Sequence, residues 1–484
     1  MKKSGWTLVP AAFFLLLIFA GSSVKVLFWG RLIYFLFFIS LFLFLRRFNL
    51  DKILSPIVAG VSLVVFSYGL VQKFFLFPYY LRNFSAGDDF YSQALLIRIK
   101  SGRIFSLFTL PTLYAIVCAL LILFIFHFLI KSPSWKGKSG WILLLTLGLF
   151  NLVLTQSFGG VLYLAAGIFL YLILTGIIDL KYLAPILMVF AFFFFLISGL
   201  RFSEARKLEP VKLRLSNWHQ AVRMIEDKPF FGQGLGNYES EIATFTRPGE
   251  ARSIYAHNFF LQFAAEIGLF PLVFFIALLF FTRKKWRPAV GREKVVYIAG
   301  LVILLLYNLI DIGYYFFPAA MAGVICLSQV YPIYRPRFKP AINLVCLSLF
   351  GLLLLVDNLS NTFQQKGDLS LNQKQYAQGK VDYERSLQMN PWNIRSLIGC
   401  ASLHYFQGDL AASENYLDRV LSLYPDSSYA NYLKSRLRFT RGFYFSALFH
   451  GRQAYEKNKI DTRYKRWYDS IKNRLQVGLT GPTD

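Results

Sequence analysis

The stretch "SIYAHNFFLQFAAEIGLF" (253–270) sets a histidine and an asparagine at the edge of a long apolar run, with a glutamate nine residues after the histidine. Ionisable groups are costly at membrane depth, so those retained there point to function. Histidine is the side chain that takes up a proton near neutral pH, which suits His257 to act as general base on an incoming hydroxyl. The plainer reading is an interfacial histidine that meets lipid headgroups. On one straight helix Glu266 lies about 900° of rotation from His257. The two therefore cannot line one pocket, and Glu266 is expected to make a structural contact to another helix.

Arginines form the second group. Arg214 in "LRLSNWHQAVRMIED" and Arg103 in "SGRIFSLFTLPTLYA" carry planar guanidinium forks that match phosphate oxygens; the ordinary alternative is again a lipid headgroup. Arg31, inside an apolar run, can snorkel to either side. "GQGLG" (232–236) resembles a phosphate loop only superficially, because no strand precedes it and no lysine follows, so a flexible turn is expected. His219, His127 and Asp311 are weaker candidates, with Asp311 beside Gly313 marking a helix break.

These residues need elements to hold them. Of 484 residues 56% are hydrophobic, with 51 Phe, so much of the chain belongs in a bilayer. A span takes roughly 20 apolar residues. Runs near 6–21, 24–45, 53–77, 109–130, 140–157, 159–178, 182–200, 257–282, 295–311, 315–332 and 341–356 meet that need, which makes about 11–12 helices. The net charge of +26 does not imply nucleic acid. With the N-terminus inside, Arg46, Arg47 and Lys52, then Lys131, Lys136 and Lys138, then Lys181, then "RKKWRPAVGREK" (283–294), then Arg335, Arg337 and Lys339 all fall on one side, the cytoplasmic one. Opposite them fall the loop at 78–108, the loop at 201–256 and everything after 357. Within 201–256, residues 213–227 show helical periodicity through Leu215, Trp218, Ala221, Val222 and Ile225, which predicts an amphipathic helix lying at the outer face. Cys118, Cys326, Cys346 and Cys400 offer neither a disulfide framework nor metal-ligand spacing.

After the last span the composition turns polar. Pro391 and Pro425 stand 34 residues apart, as do Gly408 and Gly442, and Leu403 with Leu437 keeps the same period. That spacing resembles tetratricopeptide repeats, with "ASLHYFQGDLAASENYLDRVLSLYPD" the clearest unit, degenerate units near 361–391 and 431–460, and a basic cap. The expected architecture is all-α, a polytopic membrane domain at 1–357 followed by an α-solenoid at 358–484. The solenoid reads either as a passive cap or as a docking surface for an acceptor or an envelope protein partner.

Taken together, the motifs resemble the O-antigen ligase superfamily, which includes O-antigen polymerases and protein O-oligosaccharyltransferases. "HNFFLQFAAEIGLF" is similar to its histidine signature through His257, Asn258, Leu261, Glu266, Gly268 and Leu269. "RLSNWHQAVRMIEDKPFFGQGLGNY" is similar to its upstream element through Arg214, Trp218, Pro229, Gly232, Gly234 and Gly236. "GRIFSLFTLPTLYA" and "YNLIDIGYYFFP", with Asn308 and Asp311, resemble its earlier and later elements, over roughly 95–330. Two departures stand out: Ser157-Phe158-Gly159 replaces a frequent Ser-Arg-Gly, removing one phosphate-binding arginine, and Pro271 replaces a frequent glycine.

The resemblance implies a metal-independent transfer, without cofactor, of a glycan from a polyprenyl-diphosphate-linked donor to an acceptor hydroxyl at the outer face of a bacterial inner membrane. It assigns His257 and Arg214 to catalysis, and Arg103, Asn258, Trp218 and Gly234 to the donor diphosphate or the acceptor. The acceptor remains open between lipid A core, a glycan as in a polymerase, and a protein. A transporter or a non-catalytic scaffold is the rival of another class. A transporter would show an internal repeat of spans, and the sequence has none.

Overall fold

Uninterrupted apolar sequence with few charges makes the first helices of the computed structural model. It describes residues 24–83, 90–177, 209–273, 291–331 and 340–479, with isolated positions at 19, 22, 188, 191, 192, 195 and 196. α1 spans Lys25–Leu45. α2 (Asp51–Val71) places Asp51 in its first turn, where the helix dipole favours an acid, and runs through a π-helical turn at Gln72–Leu76 into α3 (Phe77–Asn83). That wide turn turns side chains onto the non-helical stretch after α4 (Phe90–Lys100). Gln72 Oε1 accepts the amides of Phe105 and Ser106 at 2.8 and 2.9 Å, and Lys73 Nζ donates to Gly102 O at 2.8 Å. The segment that carries Arg103 is thus clamped from its backbone.

α5 (Pro111–Lys131) opens with proline in its first turn and, among the described helices long enough to cross a membrane, is the most enclosed, burying Leu113, Tyr114, Ile116, Ile122 and Leu123. α6 (Trp135–Leu154) and α7 (Phe158–Thr175) are N-capped by Ser134 and Ser157. α7 approaches its neighbours at glycines: a Cβ on Gly160 would meet Ala115 at 2.8 Å, and one on Gly167 would meet Ile303 at 2.4 Å. Phe158, at the position where a family arginine was expected, packs on this core.

The polar segment that follows holds α8 (Glu209–Asp227) and α9 (Tyr238–Phe245), then α10 (Phe259–Ile267). α8 confirms the helix expected at 213–227, but its buried face differs. Asn217, Gln220, Ala221 and Met224 are enclosed, while Leu215 and Val222 are exposed, so the side turned to the protein is partly polar and apolar side chains face out. The run expected as one span at 257–282 is broken. α10 stops at Gly268, where φ is +81°, and helix resumes at 269–273.

α11 (Val295–Asn308) and α12 (Phe317–Val330) flank a polar turn. Expected as spans at 295–311 and 315–332, each has 14 residues, about 21 Å against the ~30 Å of a hydrocarbon core. Asn308, Asp311 and Gly313 end the first, and proline opens the second. Among the described residues six helices are long and apolar enough to cross a membrane: Lys25–Leu45, Asp51–Asn83, Pro111–Lys131, Trp135–Leu154, Phe158–Thr175 and Pro340–Asn372. The expected spans at 6–21 and 182–200 lie outside the described residues, apart from those isolated positions, as does the part of 257–282 beyond 273.

Contacts gather the basic turns at one end of the bundle. Arg46 Nε donates to Tyr331 O at 2.5 Å, Tyr297 Oη donates to Asp51 Oδ1 at 2.6 Å, and Lys294 lies 3.9 Å from Asp51. The 101–110 stretch, the 155–158 turn and the 309–313 turn, at the other ends of these helices, face the opposite way.

α13 (Pro340–Asn372) is continuous over 33 residues, about 50 Å, apolar in its first half and polar in its second. Its polar end pairs with α14 (Tyr376–Met389) and starts a solenoid: α15 (Ile394–Phe406) with α16 (Leu410–Leu423), α17 (Ser428–Thr440) with α18 (Tyr444–Lys457), then α19 (Thr462–Leu479). Gly408 and Gly442, at φ +83° and +81°, make the turns within the second and third pairs, as the 34-residue period predicts. Leu397, Ala401, Leu417, Val420, Leu433 and Leu437 fill the core between pairs.

Candidate functional site

The turn at 309–312 collects most of the expected site. α11 ends there because Asn308 and Asp311 redirect their side chains to the backbone: Asn308 Oδ1 accepts the Tyr314 amide at 3.2 Å, and Asp311 Oδ1 accepts that of Ile312 at 3.0 Å. Its free carbonyls then bind the histidine segment. Asn258 Nδ2 donates to Leu309 O at 2.9 Å, Arg214 Nε donates to Ile310 O at 3.2 Å, and the Phe259 amide donates to Asp311 O at 3.0 Å. Asn258 also caps α10, its Oδ1 accepting the Leu261 amide at 3.0 Å. Both ends of this side chain are engaged in holding the segment.

His257 adopts φ +52°, a conformation that a residue other than glycine rarely takes. Its carbonyl accepts from Trp218 Nε1 at 3.3 Å. Its ring lies between two partners: Nδ1 is 3.3 Å from Asp311 Oδ1, and Nε2 is 3.2 Å from Ser253 Oγ. A carboxylate can only accept, so Nδ1 carries the proton and Nε2 presents its lone pair to the Ser253 hydroxyl. The imidazole is 23% exposed and Asp311 5%, which leaves a path to Nε2 while the orienting acid stays dry.

The 246–256 stretch that brings Ser253 round is braced on α8 and α10. Gln220 Nε2 donates to Ala251 O at 2.9 Å, and the Ala256 amide donates to Gln262 Oε1 at 3.1 Å. Arg223 Nη2 bonds Glu250 Oε2 at 2.5 Å. Partial burial pushes the Glu250 carboxyl up, but the Arg247 amide and the Arg223 guanidinium outweigh it and hold the group below its ordinary value.

Arg214 Nη1 and Nη2 have no acceptor among the described residues, so the outer prongs of this guanidinium are open for a ligand oxygen. Arg103 is anchored elsewhere, its Nε donating to Thr155 O at 2.9 Å beside the start of α7. The ring of Tyr163 on α7 stands 5.9 Å from that of Tyr307 on α11, one turn before Asp311.

Gly234 belongs to a different cluster. The "GQGLG" turn is not flexible: the amides of Gln233 and Gly234 donate to Ala265 O and Glu266 O at 2.9 and 2.8 Å, and a Cβ on Gly232 would meet Glu266 O at 2.4 Å. Positive φ at Gly232, Gly234 and Gly236 lets the chain lie flat on the end of α10. Glu266, 1% exposed, accepts from the Gly236 amide and Tyr315 Oη, both at 2.7 Å, and from Gln262 Nε2 at 3.2 Å. The amides of this turn are spent on α10, and Glu266 makes the structural contact expected of it. Arg31 lies in the same place, its guanidinium 4.5 Å from the centroid of the Tyr315 ring.

Sequence reasoning singled out His257, Arg214, Trp218 and Asn258, and the structure brings them together. It ranked Asp311 low and missed Ser253. An acid at a helix break was the available signal for Asp311; nothing marks a serine four residues before a histidine. His127 is taken up by Tyr171, Nδ1 to Oη at 2.9 Å, and stands apart from this cluster on α5.

Residues 141–276 match the family model for O-antigen ligase, and residues 370–437 match tetratricopeptide repeat. The first match takes in Arg214, Trp218, Gly234, His257 and Asn258, while Arg103 and Asp311 lie outside it. Both resemblances drawn from the motifs are thereby borne out, over a narrower stretch than 95–330 for the first. No curated protein matches the chain.

Proposed function

We propose, with the O-antigen ligase match as premise, that this multi-pass membrane protein transfers a glycan from a polyprenyl-diphosphate donor to an acceptor hydroxyl at the outer face of a bacterial inner membrane. The observation that carries the reading is the oriented imidazole: Nδ1 on the buried Asp311 carboxylate, Nε2 directed at a hydroxyl. Ser253 Oγ stands for the acceptor oxygen, which would displace it. The acceptor O–H gives its proton to His257 Nε2 as its oxygen attacks the anomeric carbon. The bond from that carbon to the diphosphate breaks, and the polyprenyl diphosphate leaves with the electron pair.

Arg214, whose outer guanidinium nitrogens have no acceptor among the described residues, suits one phosphate of the donor, and Arg103 suits the other. Fixed cations at a developing diphosphate supply stabilisation through position and charge. Asn258, Trp218 and Gly234 act by shaping the site: the first two hold the His257 backbone and the third lets the turn close on α10. Single displacement inverts the anomeric configuration. The acceptor is a lipid A core, a growing glycan or a protein, each of which offers a hydroxyl to the same base.

Replacing His257 by Ala is expected to abolish transfer while the protein stays in the membrane at its usual level, measured as glycan-bearing product against membrane-bound protein. Product at the wild-type rate in that variant would overturn the assignment. Following which glycan-bearing molecule disappears in cells lacking the gene identifies the acceptor.

A further inference from the structure

α13 runs from its apolar half straight into the first repeat, so it fixes which edge of the solenoid faces the membrane. The turns within repeats, at 373–375, 407–409 and 441–443, lie at its far end. The turns between repeats, at 390–393, 424–427 and 458–461, lie toward the apolar half. The second set meets the polar segment of the membrane domain. Arg395 Nη2 bonds Glu239 Oε1 at 2.5 Å, Tyr424 Oη donates to Ser240 O at 2.8 Å, and Thr244 Oγ1 donates to Lys457 O at 3.2 Å. Beside these contacts Arg252 shares a cavity of about 450 Å³ with Asn458, Asp461 and Arg463.

Three successive repeat junctions therefore grip one helix, α9, which at eight residues is too short to hold its conformation alone. The opposite face of α9 is not free either. Tyr238 and Ile242 pack with Ala221 and Met224 of α8, with Ala265 of α10, and with Ala256, the residue before the histidine. Burial, with Glu241 and Asp426 nearby, pushes the Tyr424 hydroxyl up, so it stays a donor to Ser240 O at any physiological pH. Each contact is weak, and the Arg395–Glu239 pair is 58% and 41% exposed. Presented by one rigid solenoid on the same chain, they act together at high effective concentration.

We propose that the partner of the membrane-facing edge of the repeats is this chain's own α9, and that the solenoid is a clasp which sets the His257 segment for transfer. The docking half stands on the contacts alone; the activity half rests on the function proposed above. The clasp occupies the membrane-facing edge of the solenoid and leaves Phe406, Phe443 and Phe445 exposed at the other edge.

The test uses the full-length protein in membranes. Glu239→Cys with Arg395→Cys is treated with a short bis-maleimide, and formation of an intramolecular crosslink is expected; its absence overturns the docking. Separately, Glu239→Arg and Arg395→Glu are each expected to lower transfer about threefold to tenfold, and the two together to return it to within about twofold of wild type. Both sites are exposed, so reversal leaves the repeat core intact. Single reversals at the wild-type rate, or an exchange that restores nothing, overturn the clasp. A wild-type protein that transfers no glycan defeats the proposed function instead, and the crosslink still decides the docking.

Discussion

The conformation of His257 is the most informative local feature of the chain. A non-glycine residue at φ +52° costs about 1 kcal/mol or more, and such strain persists only where surroundings impose it. Here the Trp218 hydrogen bond to the carbonyl, the Asp311 contact to Nδ1 and the Asn258 cap immediately after it impose it together. Asp311→Asn keeps the shape but removes the charge that orients and supports the imidazolium. Turnover is expected to fall about 100-fold with little change in donor KM, measured on detergent-solubilised protein. Ser253→Ala is expected to stay within about threefold of wild type, because its hydroxyl only stands in for the acceptor. A loss as large as that of Asp311→Asn would make Ser253 a participant in the chemistry. Histidine and arginine were legible in the sequence because their types are rare at membrane depth. Ser253 was not, since its nearness to Nε2 depends on a left-handed residue that no local pattern announces.

Elements around the site are set by close approach rather than by propensity. The break at Gly268 ends α10 after nine residues and lets the Leu269 amide reach Pro229 O at 2.8 Å, which locks the glycine-rich turn against the helix end. Hydropathy could not reveal this, because the residues on both sides of Gly268 are apolar and read as one span. A Cβ on Gly268 would stand 2.2 Å from Phe230 O and 2.5 Å from Phe231 N, backbone atoms with nowhere to move. Gly268→Ala is therefore expected to cost at least about 2 kcal/mol, seen as a lower midpoint of thermal unfolding in detergent and reduced membrane abundance. Gly249 supplies the control. Its φ is +85° but nothing lies within 4 Å of the added atom, so Gly249→Ala should cost only the conformational part, about 1 kcal/mol. Equal losses in the two variants would show that backbone freedom, not close approach, is what Gly268 contributes. The repeats were the opposite case: glycine and proline at a fixed period mark their turns in any context, so their helices follow the sequence closely.

On the scale of the whole molecule, two ends of one helical bundle carry different chemistry. Basic turns at 46–52 and 294 lie at one end, brought together by Asp51, Tyr297 and Tyr331, and α5 carries the 131–138 turn to that same end, while His257, Asp311, Arg214 and Arg103 lie at the other, with the solenoid on their side. Moving clustered lysine and arginine across a membrane is unfavourable, so the basic end should stay in the cytoplasm and the site should face out. The proposed transfer requires that orientation, since a glycan on a polyprenyl carrier would have to reach the base and the arginines from the same leaflet. Lys136 and Ala251 are both exposed, one in each end. In spheroplasts of cells carrying Lys136→Cys or Ala251→Cys, a membrane-impermeant maleimide is expected to label position 251 at once and position 136 only after lysis. Wild type, whose cysteines are buried or half-buried, serves as the blank. The reverse pattern would put His257 on the cytoplasmic side, and the oriented imidazole would then need a donor and an acceptor of a different kind.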